Sequence, residues 1–135
     1  MQAMNTGHEG SLTTVHANSA RDALARIENM VLMAGFDLPT RAIREQMAAA
    51  FHLIIHLARF ADGTRRIINI SEVVGMEEAT VTMQDLFTFE TTSIAEDGRI
   101  VGELKRTGIV QTFADRFAKA GVPLESILPN VGKWA

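Results

Sequence analysis

The sequence predicts an α/β fold, and three features carry that expectation. A β-branched run at residues 11–17, "SLTTVHA", leads straight into a helix start at Asn18 and Ser19. Two stretches of helical periodicity follow, over 20–34 and from Thr40 onward. From Phe51 the pattern changes to strands separated by Asp-Gly turns. A strand, a turn and a helix in that order mark an α/β unit.

Residues 11–17 favour a short strand because Thr13, Thr14 and Val15 are β-branched. Ser19 followed three residues later by Asp22 is an acidic variant of the capping box. Ala20, Ala23, Leu24, Ile27, Met30 and Val31 then recur at helical spacing, so one face of 20–34 is expected to be buried, with Gly35 as the stop. Asp22 and Arg26 stand one turn apart and can pair, worth a few tenths of a kcal/mol. The second helix sets Ile43, Met47, Ala50 and Phe51 on one face. Its first turn carries Arg41 and Arg44, the wrong sign for the helix dipole, which raises the question of which anion they meet. "FHLIIHLARF" is a nearly continuous apolar run that reads as a buried strand. A turn at Asp62-Gly63 leads to "RRIINISEVVG", and "ATVTMQDLFTFET" gives a further strand, interrupted near Gln84-Asp85. The turn at Asp97-Gly98 leads to "RIVGEL". Residues 110–120 return to helix, with Phe113 and Phe117 one turn apart and Gly121 as terminator.

The 135 residues fit one domain or part of a larger one. A hydrophobic fraction of 47% supplies a packed core and argues against disorder. A net charge of -3 gives no reason to expect direct nucleic-acid binding. With no cysteine, disulfides, thiolate nucleophiles and cysteine-based zinc sites are excluded. No apolar run reaches the ~18 residues of a membrane-spanning helix.

"NTGHEGSLTTVHANS", residues 5–19, is the stretch with chemistry in it. As a metal site it competes with "HLIIH", but Leu53 stands where a metalloprotease helix needs a glutamate. If that segment is a strand, His52 and His56 lie about 13 Å apart, too far to share an ion, so no metal site is expected. As a nucleophile site it lacks a strained G-x-S-x-G elbow near Ser11, Thr13, Thr14 or Ser19. As a phosphate sensor it has Gly7 and Gly10 to bend the backbone, with His16 and Asn18 beyond the strand's carboxyl end, where α/β proteins collect ligands. A histidine there can donate to a phosphate oxygen and lose that contact when the phosphate departs. Spacing alone leaves these readings open beside a fourth, a structural turn that happens to hold two histidines, and favours the last.

The wording is more specific than the spacing. "MNTGHEGSLTTVHANSARDALARIENMVLM" resembles the His box and following helix of the type II/IV secretion ATPases. "LPTRAIREQMAAAFHLIIHLARFADGTRRIINISEVVGME", "TMQDLFTFE" and "GELKRTGI" look like the CpaF branch, the motors of Flp/Tad pilus assembly, and the resemblance runs to about residue 122. It implies the C-terminal part of a RecA-like P-loop ATPase core with an appended antiparallel β/helical subregion. The chain is then a single, incomplete domain over 1–135: His box and following helices of the core at 1–60, antiparallel strands at 61–109, C-terminal helix and tail at 110–135. It further implies a cytoplasmic hexamer at the inner face of the bacterial inner membrane, working with secretion or pilus platform proteins. The His box positions are Thr6, Gly7, His8, Glu9, Gly10, Ser11, Leu12, Thr13, Thr14, Val15 and His16. His8 and His16 are the expected functional pair, sensing the nucleotide γ-phosphate, with Thr6, Gly7, Gly10 and Asn18 as lesser binding candidates.

One departure is large. No G-x-x-x-x-G-K-[ST] loop occurs; the only Gly-Lys pair is Gly132-Lys133, followed by Trp134. ATP and Mg²⁺ are therefore expected in the complete enzyme and not on this chain alone, whose phosphate loop and Walker B strand would precede residue 1. An inactive part of a secretion ATPase is the leading expectation. The alternatives are a non-catalytic module that binds a full-length motor subunit or platform protein, and, remotely, a small hydrolase built on His8 and His16.

Overall fold

The computed structural model describes residues 10–112 and 114–122. Helix α1 (Ala20–Met33) and helix α2 (Thr40–Ala50) precede four strands: β1 (Leu53–Arg59), β2 (Arg65–Glu77), β3 (Thr80–Ile94) and β4 (Ile100–Arg106). A short helix α3 (Ala114–Lys119) follows. The strands form one antiparallel meander in the order β1-β2-β3-β4.

Local chemistry explains most of these boundaries. Ser19 caps α1: its Oγ accepts from the Asp22 backbone N–H at 3.0 Å, and Asp22 Oδ2 accepts in return from the Asn18 N–H at 2.8 Å. The chain leaves α1 through Gly35, whose φ of +79° suits glycine. Turns through Gly63 (φ +83°) and Gly98 (φ +81°) close the β1–β2 and β3–β4 hairpins, as the two Asp-Gly pairs predict.

Leu24, Ile43, Met47, Val73 and Val81 form the core, with Ile27, Val31, Phe51, Ile54, Met76 and Met83 packed around it. Helix α2 presses its predicted face against β2 and β3, while α1 packs against α2 and β1. Met30 departs from the expected stripe and is exposed. The arginines at the start of α2 find their anions within the chain. Arg41 pairs with Glu45 at 3.0 Å, while Arg44 makes a two-pronged contact with Glu28 of α1, at 2.7 and 3.0 Å, and donates to the Ala79 carbonyl. That contact with Glu28 raises the Arg44 pKa above its usual range and ties α1, α2 and the β2–β3 turn together.

The far end of the sheet has its own support. Phe60 and Phe89 lie 5.3 Å apart, and the Arg66 guanidinium sits over both rings. Gly102 allows Phe89 to lie across β4; a Cβ there would stand 2.7 Å from the ring and collide with the Glu90 carbonyl.

Several expectations need correction. Residues 11–17 form no strand and run as irregular chain. The expected leading strand is thus absent among the described residues, while the α/β class holds as helices packed on a four-stranded sheet whose every pairing is antiparallel. β1 is not buried on both faces: Leu53, Ile55 and Leu57 are 44%, 51% and 59% exposed, because β1 is the outermost strand. β3 runs through Gln84-Asp85 without a break; the irregularity is a bulge that skips Leu86 between the pairs Ile70–Phe87 and Ser71–Asp85. The last helix is shorter than 110–120, and Phe113 lies outside the described residues.

Candidate functional site

Of the expected His box, Gly10 to His16 lie among the described residues; Thr6, Gly7, His8 and Glu9 lie outside them. Gly10 has a φ of +86°, the left-handed region that favours glycine, with open space where a Cβ would stand. Residues 11–17 then pass beside β1 toward the fixed cap at Ser19. Because Asn18 and Ser19 are pinned by Asp22, the backbone two residues earlier is held close to the start of α1. His16 sits there, exposed, and makes no hydrogen bond among the described residues.

The start of α1 is not itself a phosphate cradle. The Asp22 N–H is engaged by Ser19 Oγ and the Asn18 N–H by the Asp22 carboxylate, and that carboxylate adds negative charge where an anion would have to sit. His16 and Asn18 stand at the edge of this end, so each can offer one donor to an anion held by something else. A nucleotide needs more: a run of backbone amides, a lysine and a hydroxyl for Mg²⁺. The residues present do not fit ATP as a complete site, and no catalytic step follows from them alone.

His16 and His56 line a common groove of about 280 Å³ between residues 13–17 and β1. Its floor is apolar, built from Ala20, Ala23, Leu24 and Ile27 of α1 together with Phe51 and Ile54. His52 lies elsewhere: its Nε2 accepts from Arg116 of α3 at 2.8 Å. Among the described residues no group of three His, Asp or Glu side chains is arranged to hold a metal ion.

A second polar cluster went unnoticed in the sequence. Glu72 is 2% exposed, and its carboxylate accepts from Gln84 Nε2 at 2.7 Å, from the Thr112 N–H at 2.9 Å and from the Thr112 hydroxyl. It therefore fastens residues 110–112 across the sheet. Beside it, the buried Ser71 hydroxyl lies between Asn69 and Asp85. Asn69 and Ser71 alternate along "NISEV", while Glu72 follows Ser71 directly and Gln84 adjoins Asp85, so the only hint in the sequence is a run of polar residues within otherwise apolar strands.

The comparisons with known proteins agree with this region's wording. The family described as "Type II/IV secretion system protein" matches residues 1–117. A putative conjugal transfer protein of Mycobacterium tuberculosis is 41% identical over 71 residues, covering 53% of this chain and 20% of that protein. The conjugal transfer protein TrbB of Rhizobium radiobacter is 35% identical over 77 residues, covering 57% of this chain and 21% of that protein. The chain thus spans about a fifth of the length of these relatives. No helix among the described residues is long and apolar enough to cross a membrane. With the match running over residues 1–117, through both long helices and all four strands, the chain belongs to the type II/IV secretion system protein family.

Proposed function

We propose that this chain is the part of a secretion or pilus-assembly ATPase that carries the γ-phosphate-sensing His box, with His8 and His16 as the sensing pair. The observation that carries the proposal is His16: an exposed imidazole with no hydrogen bond among the described residues, held beside a capped helix start, in a chain of this family. A side chain in that state costs little to reorient toward a phosphate and away from it. Thr6, Gly7, Gly10 and Asn18 shape the approach. The complete motor supplies the loop that holds ATP and Mg²⁺, assembles as a hexamer and works on platform proteins at the inner face of the bacterial inner membrane. The segments from Leu38 to Glu77 favour the CpaF branch and Flp/Tad pilus assembly, while the relatives named above are conjugal transfer proteins.

Phosphate release measured on the purified chain with ATP and Mg²⁺ tests this directly. The expected result is no turnover above buffer. Turnover that disappears in a His16→Ala variant would replace the proposal with a self-sufficient hydrolase.

A further inference from the structure

The chain that follows β4 is fastened to the sheet at two points of different chemistry. At the first, the Glu72 carboxylate accepts from the Thr112 N–H at 2.9 and 3.1 Å. At the second, Arg116 Nη1 of α3 stands 2.8 Å from His52 Nε2. A guanidinium has donors only and stays charged throughout the range in which an imidazole titrates. His52 Nε2 is therefore the acceptor, and the ring in this arrangement is neutral with its proton on Nδ1.

The backbone of His52 is fixed although its ring is exposed. It lies between the end of α2 and the start of β1, and its carbonyl accepts from the Val73 N–H at 3.0 Å. The chain on its N-terminal side, Ala50 and Phe51, is uncharged, and so are Ser11, Leu12 and Thr13, which line a cavity together with it. β2 places Glu72 opposite Leu53, with its carboxylate engaged by Thr112 and Gln84, and Asp85 of β3 accepts from Ser71 instead. α3 brings Arg116, with Lys119 three residues on. A positive charge on His52 would stand directly against the Arg116 guanidinium.

We propose that His52 is a proton-operated catch for α3. Neutral, it accepts from Arg116 and holds the helix at the start of β1; protonated, it has no lone pair to offer and opposes Arg116 with a like charge. Docking uses the unprotonated ring, so it is complete above the imidazole range and is lost as the pH falls through it. Imidazoles ordinarily titrate near pH ~6.5 and glutamates near pH ~4.3, so acidification reaches the catch before the Glu72 anchor. α3 then lets go while Thr112 stays on Glu72. Both side chains of the catch are exposed, so the effect is that of one hydrogen bond in water-screened surroundings. Nothing in this device requires nucleotide, so it stands or falls apart from the phosphate-sensing role.

The test is hydrogen exchange on the whole chain at about pH 7.5 and about pH 5.5, either side of the imidazole range, with each rate taken relative to an unstructured peptide at the same pH. The Ala120 and Val122 amides donate to the Arg116 and Phe117 carbonyls of α3. Their protection should fall roughly tenfold at the lower pH, while that of the Thr112 amide holds. His52→Gln supplies an amide oxygen that accepts at either pH, and it leaves His16 and His56, which titrate in the same range, in place. In that variant Ala120 and Val122 should be equally protected at both pH values, and in His52→Phe, which cannot accept, weakly protected at both. Four results overturn the proposal: unchanged protection of Ala120 and Val122 in the native chain, a parallel loss at Thr112, an equal pH-dependent loss in His52→Gln, or native protection in His52→Phe.

Discussion

Asp62 shows how much one side chain can organise. Its carboxylate accepts from the Thr64 hydroxyl at 2.6 Å, from the Ile100 N–H at 2.9 Å and from the Thr64 N–H, with Arg66 alongside. It joins the β1–β2 turn to the start of β4. These hydrogen bonds, the Thr64 hydroxyl first, lower its pKa from 3.8 to about 2. A carboxylate with a depressed folded pKa contributes stability that is fully present above its unfolded value and is lost as the pH falls through the folded one. Urea midpoints between pH 5 and pH 2 should therefore fall more steeply for the native chain than for Asp62→Asn; parallel curves would refute this role. Ser19 gives a second residue-scale prediction. Ser19→Ala removes the acceptor for the Asp22 N–H and should lower unfolding free energy by about 1 kcal/mol, measured by urea denaturation.

Among the elements, the strap at residues 110–112 is fastened by the buried Glu72 carboxylate through Thr112. Glu72→Gln keeps the shape but replaces one acceptor oxygen with a donor facing Thr112 or Gln84. The unsatisfied pairing should cost about 1–3 kcal/mol. The Thr112 amide should exchange faster than amides in β2, and an unchanged Thr112 rate would show that the strap is held by something else. Most elements were legible in the sequence because their signals are local. The Ser19 and Asp22 pair, the Asp-Gly turns and the helical stripe through Leu24, Ile43 and Met47 depend on neighbours within a turn or a hairpin. The misreadings concern pairing. "TTVHA" has every strand-forming side chain and no partner strand, and "LIIHLA" reads as buried because its hydrophobicity does not report that it ends the sheet. The buried Glu72 was illegible for the same reason: its partner Thr112 is forty residues away.

For the whole molecule, the site and the fold are related unevenly. The sheet, the core and the polar straps form a self-consistent unit, and no buried side-chain nitrogen or oxygen among the described residues lacks a hydrogen-bond partner. The region carrying the functional wording is instead the least supported, with His16 and Leu12 exposed beside an open groove. A sensor needs such freedom, because a histidine locked into the core could not respond to a departing phosphate. The family was legible through the wording of the chain and not through geometry, since spacing alone favoured a structural turn at residues 5–19. The most direct measurement is the ATP turnover of the complete motor subunit carrying His16→Ala, with its melting temperature followed in parallel. The account predicts a fall in kcat of roughly a hundredfold, the order expected for loss of one donor to a transition-state oxyanion, at an unchanged melting temperature. An unchanged kcat, or a fall that tracks loss of folding, would contradict it.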